Sequence, residues 1–95
     1  MSEKSAIVAI FDASDQSIAS YHQLVKAVES AGAGAPQGRL YHVAYAKNGG
    51  YGVVDIWESA ESLQKFAETL TPTIQQLGGT PVEPQIYPVV NVIKG

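Results

Sequence analysis

The run KNGG at residues 47–50 separates two strand-like stretches, and it constrains the fold more than any other feature of the sequence. Asn and Gly tolerate the positive φ values that a two-residue hairpin loop requires. The flanking stretches, residues 40–46 and 51–57, alternate in the manner of strands. We therefore predict an antiparallel hairpin, in which the position of the turn decides which side chains share a face.

Either position of the turn puts one histidine beside one carboxylate. A turn at residues 48–49 pairs His42 with Asp55, and a turn at 49–50 pairs His42 with Trp57. Both registers place His42 on the face of Asp55 and Trp57, where a polar strand residue suggests a cavity rather than a dry core. The opposite face, which we expect to pack against the helices, holds Tyr41, Val43, Tyr45, Val54 and Ile56.

Before the hairpin, the sequence predicts a central strand and a helix. Residues 6–11 form a continuous apolar run, which is typical of a strand covered on both faces. Asp12, Ser14 and Asp15 then offer N-cap side chains, and apolar residues recur at helical spacing up to Gly32.

After the hairpin, the sequence predicts a second helix and an edge strand. Ser59 is the expected N-cap, and the apolar pattern continues to Gly78. Pro72 lies inside this pattern, so we expect either a kink or a restarted helix there. Residues 82–94 read as a strand, but Pro84 and Pro88 restrict it to a sheet edge.

The resulting order of elements, β-α-β-β-α-β, is the split βαβ or ferredoxin-like arrangement. It predicts one α+β domain over residues 1–95, with a four-stranded antiparallel sheet and two helices on one of its faces. The other face would be bare, and a chain of 95 residues with no cysteine has few other sources of stability. We therefore expect a homodimer that packs sheet against sheet.

Composition excludes several classes of partner. The net charge is −3 and the chain has only six Lys and Arg residues, so a nucleic-acid surface is not expected. The apolar run near the start is too short for a membrane span or a signal-peptide core, so we expect a cytoplasmic protein. No phosphate loop, nucleophile elbow or Cys/His cluster is present, so no metal or other cofactor is expected.

The candidate site is the face that His42 and Asp55 share. A histidine beside a carboxylate has acid/base capacity, so these two are the candidate catalytic residues. An aromatic ring can stack a planar ligand. The candidate substrate-binding residues are Trp57, Leu40, Val53 and Asn91. The alternative is that His42 and Asp55 form a satisfied polar pair in a dimer core.

The remaining aromatic and histidine residues have simpler explanations. His22 is predicted to be an exposed residue of the first helix rather than a ligand. The five tyrosines, at positions 21, 41, 45, 51 and 87, can each be explained as half-buried packing residues.

The stretch VVDIWES, which runs directly into the amphipathic helix SAESLQKF, resembles the dimeric α/β barrel superfamily and its antibiotic-biosynthesis-monooxygenase-like branch. The resemblance implies the ferredoxin-like fold, the dimer, and Trp57 as a pocket residue. Some members of that branch oxidise aromatic polyketides without metal or flavin, and relatives bind or degrade haem. Here Asp55 stands where the branch commonly has Glu, the strand AIVAIF lacks its Asn, and Phe66 replaces the haem-ligating His.

Three functions follow as hypotheses. The first is a homodimer that binds a small, aromatic molecule on the open sheet face. The second is a cofactor-independent monooxygenase of the antibiotic-biosynthesis type. The third is a structural or regulatory dimer without a ligand.

Overall fold

The computed structural model describes residues 5–95 and has the predicted order of elements. The strands and helices are β1 (Ile7–Ala13), α1 (Ile18–Ser30), β2 (Arg39–Lys47), β3 (Gly50–Trp57), α2 (Ala60–Gln76) and β4 (Gln85–Pro88). The sheet has the order β2-β3-β1-β4, and each neighbouring pair is antiparallel. The predicted α+β, ferredoxin-like fold is confirmed. Within residues 5–95, neither helix combines the length and apolar character that crossing a bilayer requires.

The hairpin between β2 and β3 adopts the first of the two predicted registers. Asn48 and Gly49 form the loop, with φ values of 51° and 85°, and Lys47 pairs with Gly50. These positive φ values suit the twist of the strands on either side. Consequently His42 lies directly opposite Asp55.

The two helix starts differ in how well the sequence predicts them. Ser17, rather than a residue of the 12–15 stretch, caps α1, because its side chain accepts from the Ser20 N–H. Asp12 instead accepts from the Ser14 N–H, which makes a local turn after β1. Ser59 caps α2 as predicted, and the helix continues through Pro72 without restarting.

Strand β4 is an edge strand as predicted, but it is much shorter than the predicted range of 82–94. It spans only Gln85–Pro88 and pairs with β1. Pro84 precedes it and Pro88 ends it. Because proline has no N–H to donate to the ladder, these two residues restrict the length of the strand.

Both helices pack on the face that carries Trp57. Trp57 forms a core cluster with Ile7 and Ala9 of the sheet and with Leu63 of α2. Tyr21 of α1 contacts Tyr51, on the same face of the sheet, with ring centroids 5.1 Å apart. The predicted assignment of faces is therefore wrong: the helices cover the side of His42, Asp55 and Trp57.

The opposite face is the bare one, and the hairpin residues that were predicted to pack against the helices lie on it. Tyr41, Val43 and Tyr45 of β2 are exposed there, and Val54 and Ile56 of β3 are half-buried. The prediction placed the helices on this face because its hairpin residues are apolar or aromatic. A polar side chain can lie beneath helices when each of its polar atoms finds a hydrogen-bond partner, and Asp55 meets that condition.

Candidate functional site

A cavity of about 290 Å³ lies between the sheet and the two helices, and it is partly open to solvent. Its walls are mostly apolar side chains, contributed by every layer of the fold; these include Phe11, Val28, Val53, Leu70, Ile74 and Val82. One wall carries the polar side chains of His42 and Asp55, and further polar residues also line the cavity, among them Gln16, Gln23, Glu29 and Thr80. Cavities with apolar walls and a few convergent polar groups are typical of small-molecule sites.

Asp55 is the polar centre of this wall. It lies in the middle of β3 and is only 4% exposed. Its Oδ2 accepts from the indole N–H of Trp57 at 3.2 Å, and its Oδ1 lies 2.6 Å from His42 Nδ1. Because a carboxylate only accepts hydrogen bonds, the imidazole donates from Nδ1. The buried carboxylate therefore fixes the orientation of the His42 ring.

Tyr21 extends this network from the sheet to α1. Its hydroxyl lies 2.8 Å from His42 Nε2, and the two rings are nearly parallel, with centroids 6.1 Å apart. When the imidazole is neutral with Nδ1 protonated, Nε2 is an acceptor and the Tyr21 hydroxyl donates to it. A continuous chain of hydrogen bonds thus runs from Trp57 through Asp55 and His42 to Tyr21.

Burial raises the pKa of the Tyr21 phenol above its ordinary value of 10.0. The Asp55 carboxylate acts in the same direction, whereas the Arg39 guanidinium opposes it. Burial likewise raises the pKa of Tyr51, which lies against Tyr21. Both phenols are therefore held in the protonated form well into the alkaline range.

Arg39 places a positive charge on the same cavity. Its guanidinium donates to the Gly34 carbonyl at 3.1 Å and lies 6.0 Å from the centre of the Phe66 ring. A glycine with φ of 93°, Gly38, lets the chain turn into β2 immediately before Arg39. The loop and the helix thus hold the guanidinium at the edge of the cavity.

The predicted site residues divide into two groups. His42, Asp55 and Val53 line the cavity, as the shared face of the hairpin requires. Leu40 lies at an irregularity in the pairing of β2, is 52% exposed and does not line the cavity. Asn91 is exposed beyond β4 and is likewise not among the lining residues.

Trp57, the predicted binding residue, lies in the core rather than at the cavity wall. It is 0% exposed, packs against Phe66 and does not line the cavity. A ligand therefore has no Trp57 surface on which to stack. Trp57 contributes to the site indirectly, because its indole N–H donates to Asp55 and helps to fix the position of that carboxylate.

Sequence analysis missed Tyr21 and Arg39. Tyr21 lies among the apolar residues of α1 that face the sheet. A residue at such a position that carries a hydroxyl group is a signal that could have identified it. The pairing of β2 is irregular between Arg39 and Tyr41, so simple alternation no longer predicts on which face of the sheet the Arg39 side chain lies.

Within residues 5–95, no three acidic, histidine or cysteine side chains come together as a metal site would need. A scan against models of known protein families gives no match, and a search of curated proteins finds none with significant similarity.

Proposed function

We propose that this chain is a homodimer that binds a small, planar aromatic molecule in the cavity between its sheet and helices. The observation that carries the proposal is the cavity itself, which has mostly apolar walls and is lined by the hydrogen-bonded side chains of Tyr21, His42 and Asp55. Its volume of about 290 Å³ is at the lower end of the range for small-molecule sites, about 300–1,000 Å³. A ligand of one or two rings fits that size.

The polar side chains of the cavity indicate which functional group the aromatic ligand carries. Tyr21 and His42 offer a hydroxyl and an imidazole, and Arg39 adds a positive charge. A hydroxyl or other weakly acidic group on the ring would meet these residues while the ring meets the apolar walls. Phenols and naphthols have this combination.

A matched pair of variants on α1 tests binding. Val25 is half-buried and lines the cavity, whereas Ile18 is 43% exposed and does not line it. We expect Val25→Phe to fill the cavity and abolish binding of a naphthol, and Ile18→Phe to leave the affinity unchanged. Calorimetry measures both, and Trp57 fluorescence checks that each variant is folded. Equal binding by wild type and Val25→Phe would exclude the cavity as the site.

The dimer would form through the bare sheet face. Val43 is 55% exposed, and Tyr41, Tyr45 and Tyr87 are also exposed. Sheet faces of this composition are covered in stable proteins, and a second copy offers a complementary surface. Sedimentation tests this: the wild type should be a dimer at micromolar concentration, and Val43→Glu should shift it toward the monomer. A folded wild-type monomer at that concentration would refute the dimer.

A cofactor-independent monooxygenase is the second candidate. The favouring observation is that an imidazole held by a buried carboxylate reaches the cavity through Tyr21, so the site has acid/base capacity. Dissolved-oxygen uptake in the presence of a bound naphthol tests it, with Val25→Phe as the control. A structural dimer remains as the outcome in which aromatic compounds neither bind nor react.

A further inference from the structure

The hydrogen-bond chain has a direction that binding alone does not require. Trp57 N–H donates to one oxygen of Asp55 and His42 Nδ1–H donates to the other. In the neutral imidazole with Nδ1 protonated, the lone pair of His42 Nε2 faces the Tyr21 hydroxyl, 2.8 Å away. In this arrangement Tyr21 donates to His42 and His42 donates to Asp55, so the donors on this side of the chain are oriented from Tyr21 toward the carboxylate.

Tyr21 and His42 both line the cavity, and the Tyr21 hydroxyl is the group within hydrogen-bond distance of His42 Nε2. The Tyr21 oxygen donates its proton to His42 and keeps lone pairs that can accept from a ligand hydroxyl. Burial raises the pKa of Tyr21, which disfavours a negatively charged Tyr21 phenolate. When the Tyr21 oxygen receives a proton from the ligand, Tyr21 therefore releases its original proton to His42.

On this basis, and resting on the proposed function, we propose that the site ionises a bound phenol through a Tyr21–His42 proton relay. The ligand O–H bond breaks and its electron pair stays on the ligand oxygen. That proton forms a new O–H bond on Tyr21, while the original Tyr21 proton moves to His42 Nε2. The net change is a neutral phenol and a neutral imidazole becoming a phenolate and an imidazolium.

The charges around the cavity suit these products. Asp55, 2.6 Å from His42, balances the imidazolium, and the Arg39 guanidinium at the cavity edge attracts the phenolate. From α1, Glu29 is the acidic residue that lines the cavity, and Tyr51 faces Tyr21 from β3. The side chains that α2 contributes to the cavity are uncharged: Phe66, Leu70, Ile74 and, at its C-cap, Leu77.

para-Nitrophenol is a direct probe, because its visible absorption distinguishes the phenol from the phenolate. para-Nitroanisole, its methyl ether, has the same ring and no acidic proton. At a pH below the pKa of free nitrophenol, we expect binding to raise the phenolate-to-phenol ratio by about tenfold, the equivalent of one pKa unit. Nitrogen NMR of His42 should show an imidazolium on addition of nitrophenol and no change on addition of nitroanisole.

Two variants isolate the relay. His42→Gln keeps a hydrogen-bonding side chain that cannot take the proton, and Tyr21→Phe removes the intermediate oxygen. In both we expect the nitrophenol that is bound, measured at concentrations that saturate each variant, to remain protonated. Equal ionisation in His42→Gln would overturn the relay and attribute the effect to Arg39 alone.

The controls separate this inference from the proposed function. If wild type binds both compounds and nitrophenol stays protonated, the relay is wrong and the binding function stands. If neither compound binds, both are wrong for this class of ligand. Ionisation in wild type that both variants lose supports the relay.

Discussion

His42 Nδ1 lies 2.6 Å from Oδ1 of Asp55, which joins the edge strand β2 to a buried carboxylate of β3. The side chain of His42 is 27% exposed and that of Asp55 is 5% exposed, so the pair reaches from the core to the cavity. The hairpin register positions the two residues, and Trp57 occupies the second carboxylate oxygen.

Asp55→Asn should destabilise the fold although it keeps the size of the side chain. Asn replaces one of the two accepting oxygens with an NH2 group, which would then face the His42 Nδ1–H or the Trp57 N–H as a second donor. A buried donor left without a partner costs about 1–3 kcal/mol, and we expect a loss of that size in urea unfolding. Asp15→Asn, an exposed carboxylate on the surface, should change stability by less than about 0.5 kcal/mol. Equal effects of the two variants would contradict the account of Asp55.

The single tryptophan should behave as a core residue. Trp57 is 0% exposed and packs against Phe66, with ring centroids 5.4 Å apart. Its fluorescence should be blue-shifted and resistant to iodide in the native protein, and quenching should appear only after unfolding in urea. Strong iodide quenching in the native protein would mean that Trp57 lines an open surface.

Two glycines of β3 should respond differently to the same substitution. A Cβ at Gly50 would collide with the backbone carbonyls of Ser14 and Gln16, whereas a Cβ at Gly52 would meet the ring of Tyr45 at 2.5 Å. Backbone cannot yield as an exposed ring can, so Gly50→Ala should cost about 1–3 kcal/mol, as overpacking does.

Gly52→Ala should cost less than Gly50→Ala. Tyr45 is 39% exposed in the protomer, so its ring can swing aside, and removing a strand glycine gains about 0.5–1 kcal/mol. Urea unfolding of the two variants gives the comparison, and the reverse order would contradict the described packing of the turn after β1.

The phenols of Tyr21 and Tyr51 should make the protein sensitive to alkali. Burial raises the folded-state pKa of both above 10.0, so the folded protein holds these protons more tightly than the unfolded chain. The stability is fully present below the unfolded-state pKa and is lost as pH rises through the folded-state value. Tyr21→Phe should reduce the slope of stability against pH above 10.0, measured by urea unfolding. An unchanged slope would show that Tyr21 titrates at its ordinary value.

Local features predicted much of this structure. The hairpin register follows from Asn48 and Gly49, whose conformational tolerance is a property of the residues themselves. The Ser59 cap and the central position of β1 follow from equally local signals. The sequence therefore placed His42 on the face of Asp55 and Trp57 but left two registers open, and the structure adopts the one that pairs His42 with Asp55.

The choice of sheet face was not predictable in this way. It depends on whether the helices bring partners for a buried carboxylate, and on which surface a second copy would cover. Tyr21 lies 21 positions from His42 in the chain, so their contact depends on the rotation of α1 against the sheet. Alternation within a strand identifies two faces but does not say which one the helices cover.

A crystal structure with a bound brominated naphthol tests the central claim most directly, because the bromine locates the ligand without ambiguity. The account predicts density between the helices and the sheet, with the naphthol hydroxyl beside Tyr21 and the rings against Phe11 and Leu70. Density on the opposite face, beside Tyr41 and Tyr45, would contradict it.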